Sequence, residues 1–347
     1  MTTYRTFLGT YTRNGSEGIY EARMDTEAGA IVDVEVAART DDPSFLATDP
    51  TESYLYAANE IEAGSVTAYR IEEDGLIELD RLEIGPAAPC HVSVDDTGSY
   101  VFAAHYFGGA TSIAPIHDDG RLGPATVYGH EGSSVHPDRQ TEPHPHSANV
   151  GPSNERLYVP DLGTDEIVIY EIDRKAGELH HRTSVDLHEG AGPRHMAWDV
   201  ENETAYVINE LDSTLTRYRW KADSGALFHQ ATVDTLRDDP VDENYPADLH
   251  VHPNGRYVYG SNRGEDNIAV FDASGAGISL IALESTRGEW PRNFTLSPAG
   301  DHLFVANEHS DNIVTFEIDS DGVLTRTGHE TDVPMPVCIL PLTKDEG

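Results

Sequence analysis

In 347 residues the chain carries 61 Asp and Glu against 23 Lys and Arg, a formal net charge of −38 at pH 7. Duplex nucleic acid and anionic membranes both need basic surface, so neither is expected as a partner. No run approaches the length of apolar sequence that a membrane helix needs, and two cysteines, Cys90 and Cys338, are too few for a disulfide framework.

The first residues, MTTYRTFLGTYT, lack a basic segment leading into an apolar one, so no secretory leader is expected and the setting reads as cytoplasmic. Three short apolar runs occupy residues 4 to 40. From Pro43 a degenerate repeat takes over. Prolines that precede apolar runs stand at 43, 89, 145, 193, 246, 291 and 336, at intervals of 46, 56, 48, 53, 45 and 45 residues. Sixteen residues after each of the first six prolines stands Asn59, His105, Asp161, Asn209, Asn262 or Asn307, ending runs such as LYAAN, VFAAH and LFVAN. A short turn, a second run such as EIVIYEI or NIAVFD, a Gly-centred turn and a more polar run complete most units. Four short strands per unit, with no helical apolar period, predict an all-β propeller blade.

Six units account for about residues 43 to 335. The run after Pro336 (VCILPL) and the three N-terminal runs make a seventh, so the expected fold is a single seven-bladed β-propeller domain over residues 1–347. Its last blade is closed by both chain ends, which leaves no open sheet edge. The two long intervals place insertions near residues 128–144 and 234–245.

Equivalent repeat positions should form rings around the channel of such a fold. The residues after the prolines are Ser44, Cys90, His146, Arg194, Ala247, Arg292 and Val337, and those seventeen after them are Glu60, Tyr106, Leu162, Glu210, Arg263 and Glu308. One set begins a strand and the other follows the end of its antiparallel partner, so both belong at one face. Charged residues at blade ends can also be struts between blades, and the arginines carry that competing reading. Asn59, Asn209, Asn262 and Asn307 read as turn formers that satisfy local backbone groups. His130, His136, His144 and His146 cluster in sequence, but no HExxH spacing or cysteine partner supports a metal. GxSxG, Walker and Rossmann patterns are absent.

Several segments resemble the propeller-type 6-phosphogluconolactonases and the related carboxy-cis,cis-muconate lactonizing enzymes. They are EPHPHSANVGPSNERLYVPDLGTDEIVIYEID (142–173), GAGPRHMAWDVENETAYVINELDSTLTRY (190–218), YVYGSNRGEDNIAVF (257–271) and EWPRNFTLSPAGDHLFVANEHSDNIVTFEID (289–319), with FLGTYT and GIY near the start. The resemblance covers essentially the whole chain. It implies His146 in PHPHSA and Glu210 in NEL as catalytic residues. It implies Arg194 and His195 in GPRH, Arg263 in SNRG and Arg292 in WPRNF as substrate-binding ones. Asp161 and Leu162 replace the Asn-Glu pair in the third blade. The implied substrate is a small anionic sugar lactone, 6-phosphogluconolactone first, opened without metal or organic cofactor in the pentose phosphate pathway. A muconate-type cycloisomerase and a non-catalytic binding platform are the alternatives. A monomer or weak homo-oligomer is expected.

The acidic residues are dispersed along the chain and only three lysines occur, Lys175, Lys221 and Lys344. Such a charge repels itself at ordinary ionic strength, whereas at molar salt the Debye length falls to about 3 Å. The composition predicts a halophile's protein.

Overall fold

The computed structural model describes residues 3–238, 243–275 and 277–345. Its strands form seven four-stranded antiparallel sheets, the blades of a seven-bladed β-propeller, and no helix occurs among the described residues. The contacts group the blades into two units. One unit holds blade 1 (Pro43–Thr48, Tyr54–Asn59, Ser65–Glu72, Gly75–Glu83), blade 2 (Pro89–Val94, Tyr100–His105, Ala110–Pro115, Thr126–Gly129) and blade 3 (Asn149–Val150, Arg156–Asp161, Glu166–Asp173, Glu178–Asp186). The other holds blade 4 from His195 onward (strands Pro193–Asp199, Thr204–Asn209, Thr214–Trp220, Leu227–Asp234), blade 5 (Tyr245–Val251, Tyr257–Arg263, Asn267–Asp272, Ser279–Ser285), blade 6 (Pro291–Leu296, His302–Asn307, Asn312–Ile318, Leu324–Asp332) and most of blade 7.

Blade 7 joins distant parts of the chain. Its first strand is Pro336–Asp345, followed by Thr3–Thr10, Gly18–Asp25 and Ala30–Arg39. Leu8 faces Ile339 and Gly9 faces Cys338 in the ladder. Leu8, Met24 and Ile31 of this blade pack with Phe304 and Ile313 of blade 6. The closure by both ends of the chain is as the repeat predicts.

The sixteen-residue interval has a simple cause. Pro43, Pro89, Pro145, Pro246 and Pro291 lie directly opposite Asn59, His105, Asp161, Asn262 and Asn307 across the first hairpin of their blades. Proline suits the start of a strand because its missing N–H costs no ladder bond there. The residue before it often takes a left-handed conformation, as at Asp42, Ala88, Trp290 and Met335. The carbonyls of Asp42, Ala88 and Trp290 accept the backbone N–H of Glu60, Tyr106 and Glu308. In these blades the residue before the proline therefore pins the one eighteen positions after it.

Just beyond the proline the first strand carries one extra residue. Pro43 pairs with Asn59 and Phe45 with Ala58, so Ser44 bulges out; Cys90, Arg292 and Val337 are in the same situation. Bulges re-aim side chains and recur beside active sites. They set the position after each proline apart from the rest of its strand.

The Asn positions are fully buried, not exposed turn formers. Asn59 donates to the Asp41 carbonyl and accepts from Thr67, and Asn262 donates to the Thr235 carbonyl and to Asn267. They serve structure, as expected, but by tying loops of neighbouring segments to the strand. The insertion near 128–144 runs without strand after Thr126–Gly129. Buried Gln140 anchors it, donating to the Leu162 carbonyl and to Asp165. Of the second insertion, residues 239–242 lie outside the described residues.

Candidate active site

Glu210 follows the second strand of blade 4, and Arg263 ends the second strand of blade 5. Arg263 Nη2 donates to Glu210 Oε2 at 2.7 Å, with both side chains less than a tenth exposed. Arg263 Nε donates to the Tyr245 carbonyl at 2.9 Å, and the guanidinium lies over the Trp290 ring, 5.3 Å from its centroid. Burial depresses the proton affinity of Arg263; Glu210 opposes that effect, Arg292 adds to it and Glu308 opposes it. These four charges form one electrostatic cluster. The guanidinium remains charged, because its ordinary value lies far above neutrality. Arg292, at its bulge, stands over Tyr11 with its guanidinium carbon 5.3 Å from the ring centroid.

Trp290 sits under this cluster in a left-handed conformation (φ 64°), a strained state for so bulky a residue. Its N–H donates to Asp266, its carbonyl accepts from Glu308, and its ring stacks on His309 at 4.9 Å. The surroundings thus fix the strained turn.

His195, the neighbour of Arg194 in GPRH, belongs to a different arrangement. Its Nδ1–H donates to Asp248 Oδ1 at 2.9 Å, and Asn293 donates to Asp248 Oδ2 at 2.6 Å. Asn293 in turn accepts the Ile339 N–H at 2.8 Å, so a strap of hydrogen bonds crosses the first strands of blades 4, 5, 6 and 7. His250 also approaches Asp248. Burial, the largest single influence, favours the neutral Asp248 carboxyl, but His250 and His195 overcome it and hold the group far below the usual carboxylate range.

His146 and Arg194 lie in the other unit. His146 is almost fully buried beside Cys90, whose Sγ lies 3.7 Å from His146 Nδ1 and 3.3 Å from its carbonyl oxygen. The edge of the Tyr106 ring packs against the imidazole, with centroids 5.3 Å apart. Tyr106 also stacks on His144, and its hydroxyl accepts from Arg139 Nη2 at 2.9 Å. Arg194 is 1% exposed and fully buried, and its carbonyl accepts from Ser147. The other histidines of the sequence cluster go separate ways. His130 bonds Asp161 through Nδ1, His136 Nδ1 accepts the N–H of Arg139, and His144 Nδ1 donates to the Tyr106 carbonyl.

Tyr106, Cys90 and Arg139 carry no motif by themselves, and sequence reasoning passed over them as site residues. The repeat alignment does place Cys90 and Tyr106 in the two face-lining sets, which was the available signal. Arg139 comes from the insertion and has no repeat equivalent.

The seven four-stranded sheets agree with the comparison to known proteins. The model of the family described as lactonase, 7-bladed beta-propeller, matches residues 5–341. The chain belongs to this family. The 6-phosphogluconolactonase of Bacillus subtilis is 36% identical over 346 residues, 98% of each chain, and that of Serratia proteamaculans 33% identical over 275 residues, 78% of each. The solved structure of the periplasmic gluconolactonase PpgL of Pseudomonas aeruginosa superposes with a TM-score of 0.91 at 28% identity, covering 99% of both chains.

Proposed function

We propose that this lactonase-family protein hydrolyses a sugar lactone, with 6-phosphogluconolactone opened to 6-phosphogluconate the first candidate. The observation that carries the reading is full-length similarity to the Bacillus 6-phosphogluconolactonase, at 36% identity over 98% of both chains. The two arginines of the Glu210–Arg263–Arg292–Glu308 cluster support it, because an anionic lactone needs cations both for its remote charge and for the developing oxyanion.

Hydrolysis requires a water aimed at the carbonyl carbon, a base for its proton and a donor for the leaving ring oxygen. His146 is the proposed base. The Cys90 thiol faces Nδ1, which leaves the proton transfer to Nε2. Glu210 is proposed to work through Arg263, fixing the guanidinium that receives the oxyanion, while His146 passes the proton it takes from water to the leaving ring oxygen. Arg194 and Arg292 are proposed to hold the anionic end, with His195 a further substrate contact through Nε2, since Asp248 occupies Nδ1. The common action of His146 and Glu210 rests on their repeat positions and on the family resemblance. No metal or organic cofactor is called for by ester opening. The family match from residue 5 to 341 supports one domain acting as a whole.

The deciding assay measures hydrolysis of 6-phosphogluconolactone, gluconolactone and a muconolactone in molar KCl, corrected for spontaneous opening. His146→Ala is expected to lose about 10²–10⁴-fold in kcat with folding intact, the usual contribution of a general base. Near wild-type turnover in that variant would move the base elsewhere. Turnover of the muconolactone alone would move the protein to the cycloisomerase branch.

A further inference from the structure

Glu308 occupies the sixth blade's position seventeen residues after the repeat proline, equivalent to Glu210 and Arg263. Its backbone N–H is pinned to the Trp290 carbonyl at 3.0 Å, so the side chain leaves from a fixed point. The residue is 7% exposed. Carboxylate oxygen Oε1 lies 3.6 Å from His309 Nε2, beyond good hydrogen-bond distance. Oxygen Oε2 is buried and has no hydrogen-bond partner among the described residues. Its repeat equivalent behaves differently: Glu210 Oε2 takes the Arg263 guanidinium at 2.7 Å.

A buried carboxylate oxygen without a donor is costly, and native structures keep few of them. Arg263 feels the Glu308 charge but gives its hydrogen bonds to Glu210 and to the Tyr245 carbonyl. Removing the carboxylate would relieve that cost, so stability does not account for it. A ligand that donates hydrogen bonds at the charge cluster would.

We propose that Glu308 is a specificity-determining residue whose Oε2 accepts a hydrogen bond from a ring hydroxyl of a polyhydroxylated lactone. This rests on the lactonase reading above and names the residue that reads the ring hydroxyls of its substrate. A carboxylate accepting a sugar hydroxyl forms a charge-assisted bond, and a site built for one rejects the analogue lacking it, because the buried acceptor then stays unpaired. A hydroxyl-free lactone gains nothing from Glu308.

The test compares wild type with Glu308→Gln and Glu308→Ala in molar KCl, using glucono-δ-lactone and hydroxyl-free δ-valerolactone. The ratio of kcat/KM for the two lactones is expected to fall roughly ten- to a hundredfold in both variants, the scale of one hydrogen bond to a charged group. The melting temperature is expected to stay level or rise. Calorimetric titration with sodium gluconate, the polyhydroxylated product, should show a similar weakening. An unchanged lactone ratio overturns the proposal, as does a melting temperature that drops, which marks a strut. If the wild type opens neither lactone nor 6-phosphogluconolactone, the lactonase reading fails; whenever the two lactones give no turnover, the gluconate affinity decides on Glu308 alone, with equal binding by wild type and Glu308→Gln overturning it.

Discussion

Glu210 and Arg263 are each nearly removed from water, and each is the other's charge partner at 2.7 Å. Such a pair adds little stability over an apolar isostere, yet losing one member leaves an uncompensated buried charge, which typically costs about 3–5 kcal/mol. Arg263→Gln is therefore expected to lower the melting temperature as well as activity. In the double variant Glu210→Gln/Arg263→Gln most of the stability should return while activity stays lost; calorimetry and the lactone assay on the three proteins check this. His105 offers a second test. It is fully buried in blade 2 at the repeat's Asn position, donating Nδ1–H to the Pro86 carbonyl and accepting from Ser112 at Nε2. Burial pushes its imidazole down from 6.5 to about 4, against the Pro86 carbonyl. The folded value lies below the unfolded one, so its contribution is complete above pH 6.5 and is lost as pH falls through that window toward 4. The loss amounts to roughly 3 kcal/mol at most. His105→Asn should flatten the pH dependence of stability between pH 6.5 and 4; an unchanged slope in denaturant melts would count against it.

Blade 7 depends on the strand Pro336–Asp345, whose Val337, Cys338, Ile339 and Leu342 are buried. Deleting residues 336–347 removes roughly 5–10 kcal/mol of apolar burial and the ladder to Thr3–Thr10. The truncated protein is expected to aggregate or melt far below the full chain, and equal melting would contradict the role of that strand. The blades were legible in sequence because Pro43, Pro89, Pro145, Pro246 and Pro291 mark the residues opposite the hairpin's other end, a spacing that side-chain drift does not blur. The bulges after the prolines were not legible, since one extra residue in a strand has no composition of its own. Buried Asn59 and Asn262 misled for a related reason. Asn at the end of a strand looks like a turn residue whether it faces solvent or binds loops 18 to 27 residues away. At the site, the charged residues at Glu210 and Arg263 could be read from the repeat, but the bond between them could not. The strap through His195, Asp248 and Asn293 could not be read either, because it joins three strands that are remote in sequence.

A net charge of −38 acts on every blade at once. Several exposed arginines are already engaged with nearby acids, among them Arg39 with Glu17, Arg256 with Asp272 and Arg326 with Glu330. Surface pairs of this kind contribute about 0–1 kcal/mol each and cannot offset the remaining repulsion. The melting temperature is therefore expected to rise strongly from about 0.1 M KCl, where the Debye length is about 10 Å, to molar salt. A flat curve would remove the case for a halophilic protein. Blade 7 also sets a clock on biosynthesis. Its strands up to Arg39 leave the ribosome early, but the strand that pairs with Thr3–Thr10 begins only at Pro336. At ordinary translation rates the nascent chain carries that uncovered edge for on the order of 15–60 s. During this interval Phe7 and Leu8, wholly buried once the blade is complete, are open to strand addition by neighbouring chains on the same polysome.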